Sequence, residues 1–234
     1  MHLTYRSDSF AASRKPGLSP MIDARPTIYV VDDDISMRES LEALLEFAGW
    51  EVLTFDSATA FLAWDVPAAP SCLVLDVSLP DLNGLDLQAQ IADERAYMPI
   101  IFITGHGDVP MTVRAMKAGA AEFLIKPFED VVLLHAIERA IERSRAAIAE
   151  RTALQAVQER YNVLSRRECE VMKLVVSGLM NKQIGFELGI SEITVKAHRG
   201  RVMDKMRARS LADLVKMSTR LGLGSQHNES KRRE

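Results

Sequence analysis

The chain has 234 residues, 47% of them apolar, which is enough for one large core or two of ordinary size; two agrees better with usual domain lengths. The formal charge of −3 hides two opposite regions: residues 26–130 hold 18 acids against 5 bases (net −13), and residues 161–234 hold 8 acids against 15 bases (net +7). Two distant cysteines, Cys72 and Cys169, exclude a disulfide framework and a zinc site, and apolar stretches such as 99–103 and 131–137 fall far short of the ~20 residues of a membrane helix.

Residues 1–25 carry Arg6, Arg14, Lys15 and Arg25 but no continuous apolar stretch, so they predict a disordered tail rather than a secretory signal, and a cytoplasmic protein. Met21 offers a second start just before the first strand. From 27 to 151, short β-rich runs alternate with segments of helical period, the pattern of a parallel sheet wrapped by helices. The runs are 28–31, 52–55, 72–75, 100–103 and 122–125. Helices are expected at 36–48, 57–63, 85–93, 110–118 and 131–151, with Gly49 and Gly119 as C-terminal stops. The expected fold is an α/β doubly wound, five-stranded parallel sheet, whose ligands sit beyond the carboxyl ends of the strands.

Residues 149–160 continue as a helical linker. The pattern then changes to an all-α four-helix domain over 161–222, followed by a disordered tail at 223–234. Ser165 with Glu168 makes a capping box, Ser210 with Asp213 resembles another, and Asn181 and Ser191 are N-cap candidates. Gly178 and Gly189 mark helix ends. Helices at 181–188 and 192–206, joined through Gly189-Ile190-Ser191, have helix-turn-helix proportions.

The chemistry-bearing residues of the first domain stand at the ends of its strands: Asp32, Asp33 and Asp34, then Asp76, Thr104 and Lys126. A carboxylate such as Asp76 attacks a phosphoryl group poorly because both are negative, so a metal must offset the charge. Asp32, Asp33 and Asp76 supply oxygens suited to the octahedral, partly hydrated shell of Mg²⁺. Lys126 offers a charge-assisted bond to a phosphoryl oxygen, and the Thr104 hydroxyl a second donor. An Asp at a strand end is commonly a helix cap, and Lys-Pro commonly a turn; the four correct types in order at successive strand ends outweigh that bland reading.

The segments VVDDD (30–34), LVLDVSLPDLNG (73–84), FITGHGD (102–108) and EFLIKPF (122–128) resemble a response-regulator receiver domain over residues 26–148. The resemblance implies that Asp76 is phosphorylated and that Asp32, Asp33 and Asp76 bind the metal together with the backbone carbonyl of Ser78. It also implies that Thr104 and Lys126 sense the phosphate and that Phe123 is an aromatic switch. Asp34 matches no required role and is expected to cap the next helix. Gly105 stands where many receivers carry Ala, and Ser78 and His106 flank the water access to the phosphate.

Residues 164–206, LSRRECEVMKLVVSGLMNKQIGFELGISEITVKAHRGRVMDKM, resemble the LuxR-type DNA-binding domain, and the pairing of the two halves resembles the FixJ subfamily of response regulators. Val195, His198, Val202 and Met206 make an inward stripe, leaving Lys196 outward with Gly200 and Met203. The DNA-contact candidates are Asn181, Lys182, Thr194, Lys196, Arg199, Arg201 and Lys205, with Lys196 expected at a base edge and the others at phosphates. A charged helix face is ordinary on a soluble protein; helix-turn-helix spacing and the basic excess favour DNA here.

The resemblance implies a two-component regulator that takes phosphate from a sensor histidine kinase, dimerises, binds double-stranded DNA and works with RNA polymerase. It is not a metabolic enzyme and has no further catalytic residues, its chemistry being limited to gaining and losing its own phosphate. An aspartate-nucleophile phosphatase is disfavoured, because such enzymes usually carry an acid two residues past the nucleophile and this chain has Ser78. The alternative is a phosphorylated protein-binding regulator or phosphate sink without specific DNA binding.

Overall fold

The computed structural model describes residues 25–105 and 107–223. The tails expected at 1–25 and 223–234 therefore fall almost wholly outside the described residues, as does His106. The chain divides into two compact units between Ile141 and Glu142.

The first unit runs β1 (Thr27–Val31), α1 (Ile35–Phe47), β2 (Glu51–Phe55), α2 (Ala58–Leu62), β3 (Ser71–Asp76), α3 (Gly84–Ile91), β4 (Ile100–Thr104), α4 (Val109–Lys117) and β5 (Glu122–Ile125), then the start of α5 (Asp130–Asn162). All pairings are parallel, in the order β2-β1-β3-β4-β5. The order reverses between β1 and β3, which makes their carboxyl ends the crevice where ligands bind in such sheets. Strands β3 and β4 are buried along their whole length, as central strands covered on both faces must be.

Polar N-caps start the helices. Asp34 accepts from Ser36 N, Ser57 from Ala60 N, Asn83 from Leu85 N and Asp108 from Met111 N. Gly49 (φ 89°) and Gly119 (φ 93°) end α1 and α4 in the left-handed region that suits glycine. On α5, Leu133, Ala136, Ile137, Ala140 and Ile141 repeat at helical spacing and pack into the sheet core with Ile28, Val74 and Ile103.

The second unit holds the rest of α5, with α6 (Arg166–Val176), α7 (Asn181–Leu188), α8 (Glu192–Met206) and α9 (Leu211–Arg220). Its core joins Val157 of α5 to Val171, Met172, Ile184, Val195, Val202, Met206 and Leu214. Residues 149–160 are helical throughout, and their last turns belong to this core. The Ser165–Glu168 capping box forms with both bonds. At Ser210 only half does: Ser210 accepts from Asp213 N, while the Asp213 carboxylate takes Arg209 N.

Asn181 is not an N-cap. Helix α7 begins one residue earlier than its side chain would require, because Gln183 Oε1 accepts from Met180 N at 2.8 Å, and Asn181 becomes the first helical residue. The turn between α7 and α8 depends on Gly185, where a Cβ would lie 2.7 Å from Ile190 O. Gly189 (φ 63°) then closes α7.

Candidate functional site

The strand register brings four predicted residues to one edge of the sheet. Val31 pairs with Leu75, Asp76 with Ile103 and Thr104 with Ile125, so Asp32, Asp76, Thr104 and Lys126 all emerge at the carboxyl ends of β1, β3, β4 and β5. Lys126 joins them directly: its Nζ donates to Asp32 Oδ2 at 2.7 Å and to Asp76 Oδ2 at 2.9 Å, while its backbone N–H donates to Thr104 O at 2.8 Å. The Lys126-Pro127 peptide that follows is cis.

The second oxygen of each carboxylate is tied to the local backbone. Asp32 Oδ1 accepts from Asp34 N and Asp76 Oδ1 from Ser78 N, both at 2.9 Å. Asp32 and Asp76 are 0% and 6% exposed, whereas Asp33 and Ser78 lie open to solvent. Burial pushes the Asp32 carboxyl above its ordinary range, with the Lys126 hydrogen bond pulling against it. Burial also works against the charge on Lys126, but its bonds to Asp32 and Asp76 outweigh this and leave its pKa raised. The site is therefore a buried cluster in which one ammonium is shared between two acids.

Oxygens of Asp32, Asp33 and Asp76 all lie within 4.8 Å of one another, a spacing that fits one small divalent cation. An acidic pocket of this kind is typical of Mg²⁺ binding in receiver domains. Asp34 stays out of the cluster and caps α1, as expected.

Around the site, Thr104 is fully buried and Phe123 is half-buried, its ring centroid 6.1 Å from that of Phe102. Gly107 presses against the same strand, since a Cβ there would sit 3.0 Å from Ile125 and 3.2 Å from Phe123. Gly84 is equally confined, its missing Cβ only 2.7 Å from Asp76 O. Sequence reasoning passed over Asp81, whose carboxylate accepts from the Thr59 hydroxyl and from the backbone of Thr59 and Ala58, tying the β3–α3 loop to the start of α2. These bonds hold its carboxyl below the ordinary range.

In the second unit, Ser191 caps α8 and its hydroxyl meets that of Thr194 at 2.8 Å. Val195, Val202 and Met206 face inward with a half-buried His198. Arg199 Nη1 donates to Asn181 Oδ1 at 2.9 Å, linking the two helix-turn-helix segments. Lys196 is open to solvent and 3.5 Å from Glu192; Lys182 and Arg201 are exposed.

Two expectations change here. Met203 is half-buried against the core, because it lies beside the inward stripe rather than opposite it. Lys205 donates to Glu168 Oε2 at 2.6 Å and to Val163 O at 3.3 Å, so its ammonium is bonded within the domain although the residue itself is exposed. The same carboxylate also accepts from Ser165 N, and with Lys205 as the largest cause the Glu168 pKa falls to about 2.

Comparisons with known proteins agree on both units. Residues 28–138 match the response regulator receiver domain, and residues 162–218 match the bacterial regulatory proteins of the luxR family. Nodulation protein W of Bradyrhizobium diazoefficiens is 54% identical over 86% of this chain and 89% of its own length. The transcriptional regulatory protein FixJ of Rhizobium meliloti is 46% identical over 85% of this chain and 97% of its own. Among solved structures, the response regulator StyR superposes with a TM-score of 0.74 at 49% identity, covering 84% of this chain and 99% of that one.

Proposed function

This chain belongs to the transcriptional response regulators that join a receiver to a LuxR-type DNA-binding domain, which implies a kinase partner and DNA, and from that premise we propose that phosphorylation of Asp76 controls how it binds its target genes. The observation that carries the reading is the shared Lys126 ammonium, 2.7 Å from Asp32 and 2.9 Å from Asp76, at the crevice end of the sheet.

Asp76 is the acceptor. One of its oxygens forms the new O–P bond as the P–N bond of the kinase phosphohistidine breaks, the electron pair leaving on the imidazole. Asp32, Asp33 and Asp76, with the Ser78 carbonyl, would hold Mg²⁺, which when bound offsets the negative charge of the carboxylates and the incoming phosphoryl group. Lys126 is already within reach of Asp76 and takes a phosphoryl oxygen by a charge-assisted bond. Thr104, one strand away, donates its hydroxyl to another. Its inward movement frees space beside β5 for Phe123, which stands half-buried at that place. The only chemistry is the gain and loss of this phosphate on the protein itself.

Val109, Val113, Met116 and Ile125 leave an exposed apolar surface on α4 and β5, which supports dimerisation of the phosphorylated form through that face. A dimer presents two copies of α8 to paired half-sites in successive major grooves. No helix among the described residues is long and apolar enough to cross a membrane, in keeping with a cytoplasmic regulator that meets chromosomal DNA and RNA polymerase.

The test exposes sheared genomic DNA to Mg²⁺-loaded, phosphodonor-treated protein and, in parallel, to Asp76→Asn. Sites of two-fold symmetry enriched by the phosphorylated protein alone are expected. Equal enrichment by the variant overturns the role of Asp76, and no enrichment by either transfers the function to binding another protein.

A further inference from the structure

The buried stripe of α8 fixes the direction in which its other residues point. Val195, Val202 and Met206 are buried and His198 is half-buried, so at 100° per residue Asp204 in the last turn of α8 and, in the turns before it, Ile193, Ala197 and Gly200 face away from the core, each within about 40° of the opposite direction. The last three are exposed, Ile193 at 80%. The basic candidates stand to the sides: Lys196 on one flank, 3.5 Å from Glu192, and Arg201 on the other. The midline of the helix therefore offers no hydrogen-bonding side chain over its first two turns, and its one large group is an isoleucine.

A lone exposed isoleucine on a protein surface carries no meaning by itself. This one lies in the first turn of the second helix of a helix-turn-helix, the part that meets base edges in the major groove. The groove has a single apolar feature, the C5-methyl group of thymine. We propose that Ile193, with Ala197 beside it, reads thymine methyl groups and so sets the sequence preference of this protein, while the flanking cations position the helix. The proposal rests on the DNA-binding reading above. Gly200 continues the midline, and nothing lies within 4 Å of where its Cβ would be, so the helix backbone has room to approach the bases there.

The experiment uses full-length, phosphodonor-treated protein and a duplex recovered from sheared genomic DNA. Each thymine of one half-site is replaced in turn by deoxyuridine, which removes only the methyl group, and affinity is read by fluorescence anisotropy. At one or two positions the wild type is expected to lose about fourfold, the factor that matches burial of one methyl-sized group. Ile193→Ala binds more weakly than the wild type and loses that sensitivity, Ile193→Leu keeps it, and the slope of affinity against salt is the same in all three, because no phosphate contact has been removed. Indifference of the wild type to every deoxyuridine overturns the proposal, as does undiminished sensitivity in Ile193→Ala. Recovery of no enriched duplex at all overturns the DNA-binding reading and this proposal with it.

Discussion

The two candidate sites are built in opposite ways. In the receiver, Asp32, Asp76 and Lys126 come from three strands, are largely buried and hold one another at 2.7 and 2.9 Å. In the second unit the outward residues of α8, Ile193, Lys196, Ala197, Gly200 and Arg201, stand in solvent, while the bonds that shape the unit include Lys205 to Glu168 and Arg199 to Asn181. A site that performs phosphoryl chemistry must be preorganised and therefore interlocked with the core. A site that reads DNA is completed by its ligand, so its residues can change with little effect on folding. Substitutions in the first site should thus affect stability and function together, and substitutions on the second site's outer face should separate them.

Lys126→Met should give the largest effect. Removing the one cation from two mostly buried carboxylates leaves them uncompensated, a loss of roughly 3–5 kcal/mol for a buried pair, read as a lowered receiver melting temperature in EDTA. Mg²⁺ should restore much of it, because a cation among Asp32, Asp33 and Asp76 takes over the neutralisation; equal stability with and without Mg²⁺ would count against the metal site.

A pair of glycine variants sharpens the division. At both Gly84 and Gly185 a Cβ would lie 2.7 Å from a backbone carbonyl oxygen, that of Asp76 in one case and Ile190 in the other. Alanine at either should cost roughly 1–3 kcal/mol, towards the upper end because backbone must shift. Gly84→Ala is expected to impair phosphorylation and leave the basal DNA affinity of the second unit, and Gly185→Ala to do the reverse. Loss of both activities from a single variant would break the comparison.

Glu168 sets a pH dependence in the second unit alone. Its pKa is depressed from 4.5 to about 2, so the carboxylate stabilises the fold at every pH above its unfolded value, and that contribution disappears as pH falls from about 4.5 through about 2. Glu168→Gln should cost roughly 1.5–3 kcal/mol at neutral pH, the usual worth of hydrogen bonds to a charged group. The difference from wild type, followed by circular dichroism melts, should shrink steadily as pH falls from about 4.5 through about 2; a gap that does not narrow over that range would mean packing rather than charge.

The smallest effect is expected at Gly200. Its Cβ position is open and exposed, so Gly200→Ala should stabilise α8 by ~1 kcal/mol through helix propensity. Any accompanying loss of DNA affinity then reports on the groove and not on folding.

The same contrast explains what the sequence made legible. The cluster of Asp32, Asp76, Thr104 and Lys126 could be read because each closes its own apolar strand, and parallel pairing leaves one place for four such ends to meet. The five strands and the spans of α7 and α8 followed from periodicity and glycine stops. Lys205 could not be placed, since nothing local says that its partner, Glu168, lies 37 residues earlier. Asn181 looked like a cap until Gln183 supplied the acceptor. Met203 sits on the margin of the buried stripe, where one step of helical rotation decides exposure. Ile193 carries no charge, so only its helical angle away from Val195 and Val202 marks it in the sequence.

The most direct test follows phosphoryl occupancy and duplex affinity in the same samples. Full-length protein with Mg²⁺ is titrated with a small-molecule phosphodonor, occupancy is read by intact mass, and binding to an enriched duplex by anisotropy, for wild type and Asp76→Asn. Affinity should rise in step with occupancy in the wild type, with neither changing in the variant. A phosphoryl group gained by Asp76→Asn, or wild-type affinity that stays flat as occupancy rises, would contradict the account.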